Sequence, residues 1–411
     1  MKQFVFFTMN NFQKEGGGTI RMLGIINELA KMEGVEIILI SNAKDLNKVH
    51  PKVKNIPVNF EFLPEDKRKF QFLLGLFGWK ILNRKYQQQL QTLNNVFSSF
   101  DHSAKFIFFE YLDNSIGYWL KKNGVIPGYI NDIHGIATHE FAFQAQRAQS
   151  LQSKWIFRIK EKVSAKLDQK VFTNADGIFY ASKAMLNYFC GLYPSIKSKK
   201  NIYLPYVLNH QNVKPAQTKL VEKLRNEFLI EENDFVFLFA GAFKEITGIQ
   251  DLIIAFNQVA KSYPHIKLLL VGDGPTFEFC KKLRESQEHR DRILLLGRQP
   301  YDYLSSFQEL SHVLVCPDRQ NLFSDLIVHV KYLDALASGK LVINGRFKSV
   351  QEINQDQELS LLFTPSDMED LVKQMKNAIE QYSELSMVYS SSKDYTLQNL
   401  TYTNCIKNLL N

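Results

Sequence analysis

The chain has 411 residues, of which 45% are hydrophobic and 22% charged, with a formal net charge of +8. That length exceeds what one core usually organises, so two domains are expected in an ordinary globular protein. No apolar run approaches the ~18 residues of a spanning helix. The four cysteines, Cys190, Cys280, Cys316 and Cys405, are scattered without a C-x-x-C pair. Nothing in that spacing points to a disulfide framework or a zinc site, which favours a reducing compartment. The positive charge leaves nucleic acid, an anionic membrane surface and phosphorylated ligands as partners to weigh.

Residues 2–7 read as a first strand, too short for the core of a signal peptide. Gly16, Gly17 and Gly18 then form a turn, and a helix is expected from about Ile20. Gly34 stops that helix and Val35–Ile40 reads as a second strand, which completes one βαβ unit. The amides of the glycine turn could face an anion or a sugar, or the turn could be a flexible loop. It is not G-x-G-x-x-G, and Ile40 is followed by Ser41, Asn42, Ala43 and Lys44 rather than an acid. Both points count against a dinucleotide cofactor.

Lys67–Lys85 holds six basic residues and no acids, interleaved with Phe70, Phe72, Leu73, Leu76, Phe77 and Trp79. Arg147–Lys170 holds seven basic residues against two acids. A basic and aromatic amphipathic segment suits an anionic leaflet. A pair of core-packing helices with solvated basic faces would give the same pattern. Neither stretch lies in a nucleic-acid motif, which sets nucleic acid aside as a partner.

Phe106–Phe109, Tyr129–Ile130 and Gly177–Tyr180 are further strand expectations, with a clear helix from about Ser150 to Thr173. His134 follows one of these strands, with Glu140 six residues on. It is a candidate hydrogen-bond donor to substrate or proton shuttle, at the sheet edge expected to face an interdomain cleft. A structural histidine is the bland alternative. Leu204–Lys219 is polar, lacks periodicity and reads as a linker.

The alternation of strand and helix then restarts. Phe235–Phe239 is followed by Gly241, Ala242, Phe243 and Lys244, and Thr247-Gly248 opens a helix. Ile266–Val271 leads to Gly272-Asp273-Gly274-Pro275, and Ile293–Leu296 to Gly297. A strand over His312–Cys316 precedes a loop with Asp318, Arg319, Ser324 and Asp325. The next helix carries Lys331 and Asp334, closed by Ala337-Ser338-Gly339. Polar groups gathered where strands end are how parallel sheets hold a ligand. Lys331 and Asp334 are three apart, so they share a helix face. They suit a phosphate and sugar hydroxyls respectively, or one surface ion pair.

In order and spacing these segments resemble a family 4-type glycosyltransferase of the GT-B fold, over nearly the whole chain. Gly16-Gly17-Gly18 through Ala30 is similar to the acceptor loop and first helix. Leu270 through Pro275, Leu296-Gly297-Arg298, Val313–Pro317 and Leu336 through Ile343 are similar to the donor-site core. The resemblance implies an α/β architecture of two Rossmann-like parallel-sheet domains facing an interdomain cleft. The domains would be an acceptor domain over 1–207, a donor domain over 208–390, and a C-terminal helix over 391–411 returning to the first domain.

It also implies a retaining, metal-independent transfer of a hexose-type sugar from a nucleotide-sugar donor to a lipid-linked or oligosaccharide acceptor. The setting would be cell-surface polysaccharide synthesis, in the cytoplasm or at the inner face of the membrane. No cofactor is implied, since the nucleotide-sugar is a substrate. His134 and Lys331 would be catalytic and Gly16, Gly17 and Gly18 acceptor-side. Gly241, Lys244, Gly272, Gly274, Gly297, Arg319, Ser324, Asp325 and Asp334 would bind the donor.

Three positions depart from the family pattern. Leu326 stands where a first carboxylate is often found, with Asp325 one place off, and Ala242 and Thr247 stand where basic residues are usual. Phosphate neutralisation is then expected from Lys244, Arg319, Lys331 or Arg346. The Ser324, Lys331 and Asp334 arrangement is similar to a subgroup that builds bacterial surface polysaccharides. The departures also fit a rival reading, a non-catalytic protein that keeps the fold and has lost donor chemistry.

Overall fold

The computed structural model describes residues 2–409 apart from 11, 13–16, 44–45, 59–63, 102, 110–111, 149, 209–212 and 356. The chain divides into two compact units, Met1–Tyr206 with Cys405–Asn411, and Val207–Asn404. Each has its own parallel sheet and its own hydrophobic core.

In the first unit the strands are β1 (Lys2–Thr8), β2 (Val35–Ser41), β3 (Lys54–Pro57), β4 (Lys105–Phe109), β5 (Ile130–Ile133), β6 (Gly177–Tyr180) and β7 (Lys200–Tyr203). Their order is β3-β2-β1-β4-β5-β6-β7, and every described pairing is parallel. Helices cover both faces of such a sheet, so its strands read as near-continuous apolar runs. Phe4 through Phe7 are all buried, as the run in the sequence predicts.

The second unit repeats the plan with β8 (Phe235–Ala240), β9 (Ile266–Val271), β10 (Ile293–Gly297), β11 (Val313–Cys316), β12 (Leu341–Gly345) and β13 (Leu361–Phe363). The order is β10-β9-β8-β11-β12-β13. The strand order reverses between β1 and β4 in one sheet and between β8 and β11 in the other. Open α/β sheets bind ligands beyond the carboxyl ends of the strands at such a reversal.

Several expectations change in detail. The first helix begins at Gly17, not Ile20, so Gly17 and Gly18 sit in its first turn; Gly16 lies outside the described residues. β3 and β7 are short and polar and carry no clear pattern in the sequence. The linker expected over 204–219 includes residues 209–212, outside the described set, and ends where a helix starts at Thr218.

The C-terminal segment expected to return to the first domain from 391 stays with the second unit through Asn404. The helix Ser392–Asn399 is held there because the Ser392 hydroxyl donates to Leu359 O at 2.9 Å. In addition, Leu208 N donates to Leu400 O at 2.8 Å. Only the residues from Cys405 onward group with the first unit.

The stretch Lys67–Lys85 folds as two helices, Pro64–Leu76 and Trp79–Lys85. Phe70, Leu74 and Leu82 enter the core while Phe72, Leu76, Phe77 and Ile81 stay exposed. No described helix is long and apolar enough to cross a membrane.

Candidate active site

In the second unit the glycine turns are built by close backbone contact. Gly272 has φ of 138°, and a Cβ there would stand 1.8 Å from Gly241 O. Only glycine admits that approach. Gly272 N donates to Gly297 O at 2.8 Å, and a Cβ on Gly274 would meet Phe243 O at 2.5 Å. Gly241, Gly272, Gly274 and Gly297 therefore lie together at the carboxyl ends of β8, β9 and β10. Thr247 locks the loop between Ala242 and Lys244. Its hydroxyl accepts from Lys244 N at 3.1 Å and lies 2.7 Å from Lys244 O. The threonine that replaces the expected basic residue is thus a loop brace.

At the β8/β11 reversal Lys331 reaches Asp318 rather than Asp334. Its Nζ donates to Asp318 Oδ1 at 2.7 Å and lies 5.2 Å from the Phe239 ring centre. The Lys331 Cδ would be 3.6 Å from a Cβ placed on Gly241, so these two predicted residues are neighbours. Asp318 is buried, and its Oδ2 has no hydrogen-bond partner among the described residues. His329 Nδ1 stands 3.6 Å from Asp318 Oδ1, and burial, with Lys331 and Lys244 nearby, lowers its imidazole pKa against the pull of Asp318. Sequence reading placed Asp318 in the loop but gave it no role, and it passed over His329. A buried carboxylate can only be recognised once its neighbours are known.

Asp334 stands apart from this pair. Burial raises its carboxyl to about 7, against the Tyr301 hydroxyl, which lies 3.4 Å from both oxygens. Tyr301 is a contact that the sequence did not signal.

The other expected donor residues are tied up elsewhere. Arg319 was expected among the phosphate cations. Instead its Nε and Nη2 both donate to Asp251, each at 2.6 Å, and Nη1 donates to Glu245. Two carboxylates neutralise its fork, which braces the loop to the helix Ile249–Ala260. Ser324 is buried, with its N–H donating to Asn321 Oδ1 at 2.9 Å and its hydroxyl accepting from Asn321 Nδ2. Asp325 accepts from Lys348 N at 3.1 Å, so it caps the helix Lys348–Asn354. Leu326 is buried. Lys244 and Arg346 are exposed. Among the described residues no group of His, Cys, Asp and Glu is arranged to hold a metal ion.

The first unit holds a second polar centre, at the carboxyl end of β5. Arg21 and Asp132 are fully buried and joined twice, Nε to Oδ2 at 2.9 Å and Nη2 to Oδ1 at 2.6 Å. Arg21 also donates to Pro205 O at 3.2 Å. Burial alone would raise the Asp132 carboxyl, but the Arg21 charge and the hydrogen bonds from His134 and Arg21 hold it down at about 2.

His134 Nδ1 lies 2.8 Å from Asp132 Oδ2. An ionised carboxylate accepts only, so Nδ1 carries the proton and donates. Nε2 then faces Gly18, 3.3 Å from where a Cβ would be. The fold thus brings His134 to Gly18, one of the glycines expected on the acceptor side. The helix Gly17–Ala30 supplies both Gly18 and Arg21, which share its first turns. Arg21 was not singled out in the sequence, where it reads as one more basic residue on a helix.

Residues 221–394 match the family described as Glycosyl transferases group 1. An N-acetyl-alpha-D-glucosaminyl L-malate synthase of Bacillus anthracis is 27% identical over 145 residues, 35% of this chain and 36% of that protein. This chain therefore spans about a third of that relative's length in the match. An uncharacterized glycosyltransferase of Methanocaldococcus jannaschii is 24% identical over 365 residues, 87% of this chain and 93% of its own. Among solved structures, Anabaena HepE in complex with UDP and glucose superposes with a TM-score of 0.69 at 15% identity, covering 100% of this chain and 98% of that one. Residues 221–394 therefore carry a glycosyl transferases group 1 domain, and the two parallel-sheet units have the GT-B fold.

Proposed function

We propose that the protein transfers a sugar from a nucleotide-sugar donor, held by the second unit, to a glycan or lipid-linked acceptor held by the first. One observation carries this reading. Lys331 and Asp334 stand on one helix, Val330–Ser338, beside the reversal point where Gly241 and Gly272 leave the backbone bare. A diphosphate would meet the Lys331 ammonium where the Gly241 turn leaves room for it. The Asp334 carboxylate suits the hydroxyls of a ribose. The neighbour crystallised with UDP and glucose supports a nucleotide-sugar of that class.

In the proposed reaction the bond from the anomeric carbon to the diphosphate oxygen breaks, and negative charge develops on the leaving phosphates. Lys331 stabilises that charge. The acceptor hydroxyl oxygen bonds to the anomeric carbon and passes its proton to the departing diphosphate oxygen, with retention and without a metal ion. His134, with its ring oriented by Asp132, holds the acceptor. The setting we favour is polysaccharide synthesis on a lipid-linked acceptor at the inner face of the membrane.

The test is thermal melting of the full chain with a panel of nucleotides and nucleotide-sugars, followed by nucleotide release with lipid-linked acceptors. A donor that raises the melting temperature in the parent chain and not in Lys331→Met or Asp334→Ala supports the reading. No response to any donor favours the rival, a protein that keeps the fold and has lost donor chemistry. The commitment of Arg319 to Asp251 and Glu245 is the observation that keeps this rival in view.

A further inference from the structure

We infer that the helix Leu151–Asn174 and the helices Pro64–Leu76 and Trp79–Lys85 form one docking surface for an anionic bilayer. The inference rests on the lipid-linked acceptor reading and gives it a place on the molecule. Gly75 marks where the helices cross, because a Cβ there would lie 3.1 Å from Val163 Cγ1. Lys170 fastens the crossing by donating to Leu74 O and Gly75 O, both at 2.8 Å, at the carbonyl end of its partner helix.

Beyond the crossing, toward its start at Leu151, the long helix packs on the helix Ala137–Arg147 along one face and leaves another face in solvent. Ile159 and Ile156 stand one and two turns before Val163, on the side of the helix that Gly75 covers farther along. Both are exposed. Leu151 is 80% exposed and Trp155 is 71% exposed. Leu151, Trp155 and Ile159 repeat every fourth residue and so form one apolar stripe.

On the other side of the crossing Phe77 is 59% exposed, with Phe72 and Leu76 also in solvent. Trp155 is eight residues from Val163, about 12 Å along the helix axis. The apolar groups of the helices therefore flank one crossing. An exposed apolar patch of this kind marks a contact site.

Charge selects the occupant. Arg158, Lys162 and Lys166 are exposed along the same flank of the long helix, and Lys80, Arg84 and Lys85 are exposed on the short one. Between Lys67 and Lys85 there is no acid, the helix Pro64–Leu76 carrying Glu65 and Asp66 at its start; on the long helix the acids are Glu161, which pairs with Arg158 at 2.8 Å, and Asp168, which accepts from Thr138. Apolar side chains rimmed by cations are what a bilayer with anionic headgroups takes up. An apolar partner protein would gain nothing from the rim.

The experiment is sedimentation of the full chain with phosphatidylcholine vesicles, with and without phosphatidylglycerol, at low and high salt. Binding is expected only with phosphatidylglycerol, and weaker at high salt. Trp155→Ser with Ile159→Ser, and separately Phe72→Ser with Phe77→Ser, should each abolish most of the binding. Lys162→Gln or Lys166→Gln should each lower partition about fivefold.

Equal sedimentation with both vesicles, or no effect of the apolar variants, would overturn the inference. So would a concentration-dependent dimer that Trp155→Ser dissolves, since a second copy would then own the surface. All these positions lie in the first unit, so donor-induced melting shifts should be unchanged in every variant. Loss of vesicle binding with donor protection intact separates failure at this surface from failure of the enzymatic reading.

Discussion

Replacing Arg21 by methionine keeps most of the side-chain volume and removes the cation from a buried carboxylate. Asp132 is left with His134 as its hydrogen-bond donor, in a site where both partners of the ion pair have no solvent exposure. Breaking such a pair from one side costs about 3–5 kcal/mol. With a urea slope of about 2 kcal/mol/M, the midpoint should fall by about 2 M.

The pH dependence carries a second signature. In the parent protein the Asp132 carboxyl is held at about 2, below the ~3.9 of an unfolded aspartate. A depressed carboxyl stabilises the fold above the unfolded value, here by about 2–3 kcal/mol, and that stability is lost as pH falls through 2. In Arg21→Met the burial that raises the carboxyl meets less opposition. The sign then reverses, and stability declines as pH rises above about 4.

Tryptophan fluorescence isolates the effect, because Trp79, Trp119 and Trp155, the three tryptophans of the chain, all lie in the first unit. Urea curves followed by that signal from pH 3 to pH 8 are the assay. The double variant Arg21→Met with Asp132→Leu should recover most of the loss, since an apolar pair of similar volume is tolerated in place of a buried ion pair. A midpoint for Arg21→Met within about 0.3 M of the parent, or an unchanged pH slope, would refute the reasoning.

Asp334→Asn should raise the stability of the donor-free protein at pH 8 and flatten its pH dependence. The folded carboxyl at about 7 loses stability as pH rises from about 4 through 7, by at most about 4 kcal/mol, as melting across that range would show. Donor binding by the parent should weaken below pH 7, where a protonated carboxyl accepts hydrogen bonds poorly; a titration by calorimetry checks it. Thr247→Val removes the brace on the Ala242–Lys244 loop and should cost about 1–3 kcal/mol in a urea melt followed by circular dichroism. Gly272→Ala drives a Cβ into Gly241 O and should cost at least about 3 kcal/mol, or prevent accumulation of soluble protein.

The sequence by itself determined the alternating α/β plan of each half, because fully buried parallel strands must be continuous apolar runs such as Phe4–Phe7 and Phe235–Phe239. It also determined the glycine turns and the helix with Lys331 and Asp334, since strand ends and helix starts leave local signals. Roles that depend on distant partners were decided only by tertiary structure. Arg319 reads as a phosphate cation until the fold delivers Asp251, 68 residues away. Arg21 drew no reading from the sequence, and its role appears only when β5 brings Asp132 from 111 residues away. Asp318 and His329 became visible only with the burial that isolates them, and the tail was placed by backbone hydrogen bonds at Leu208. Pairing and burial set the energy of a charge, and neither is a property of the local sequence.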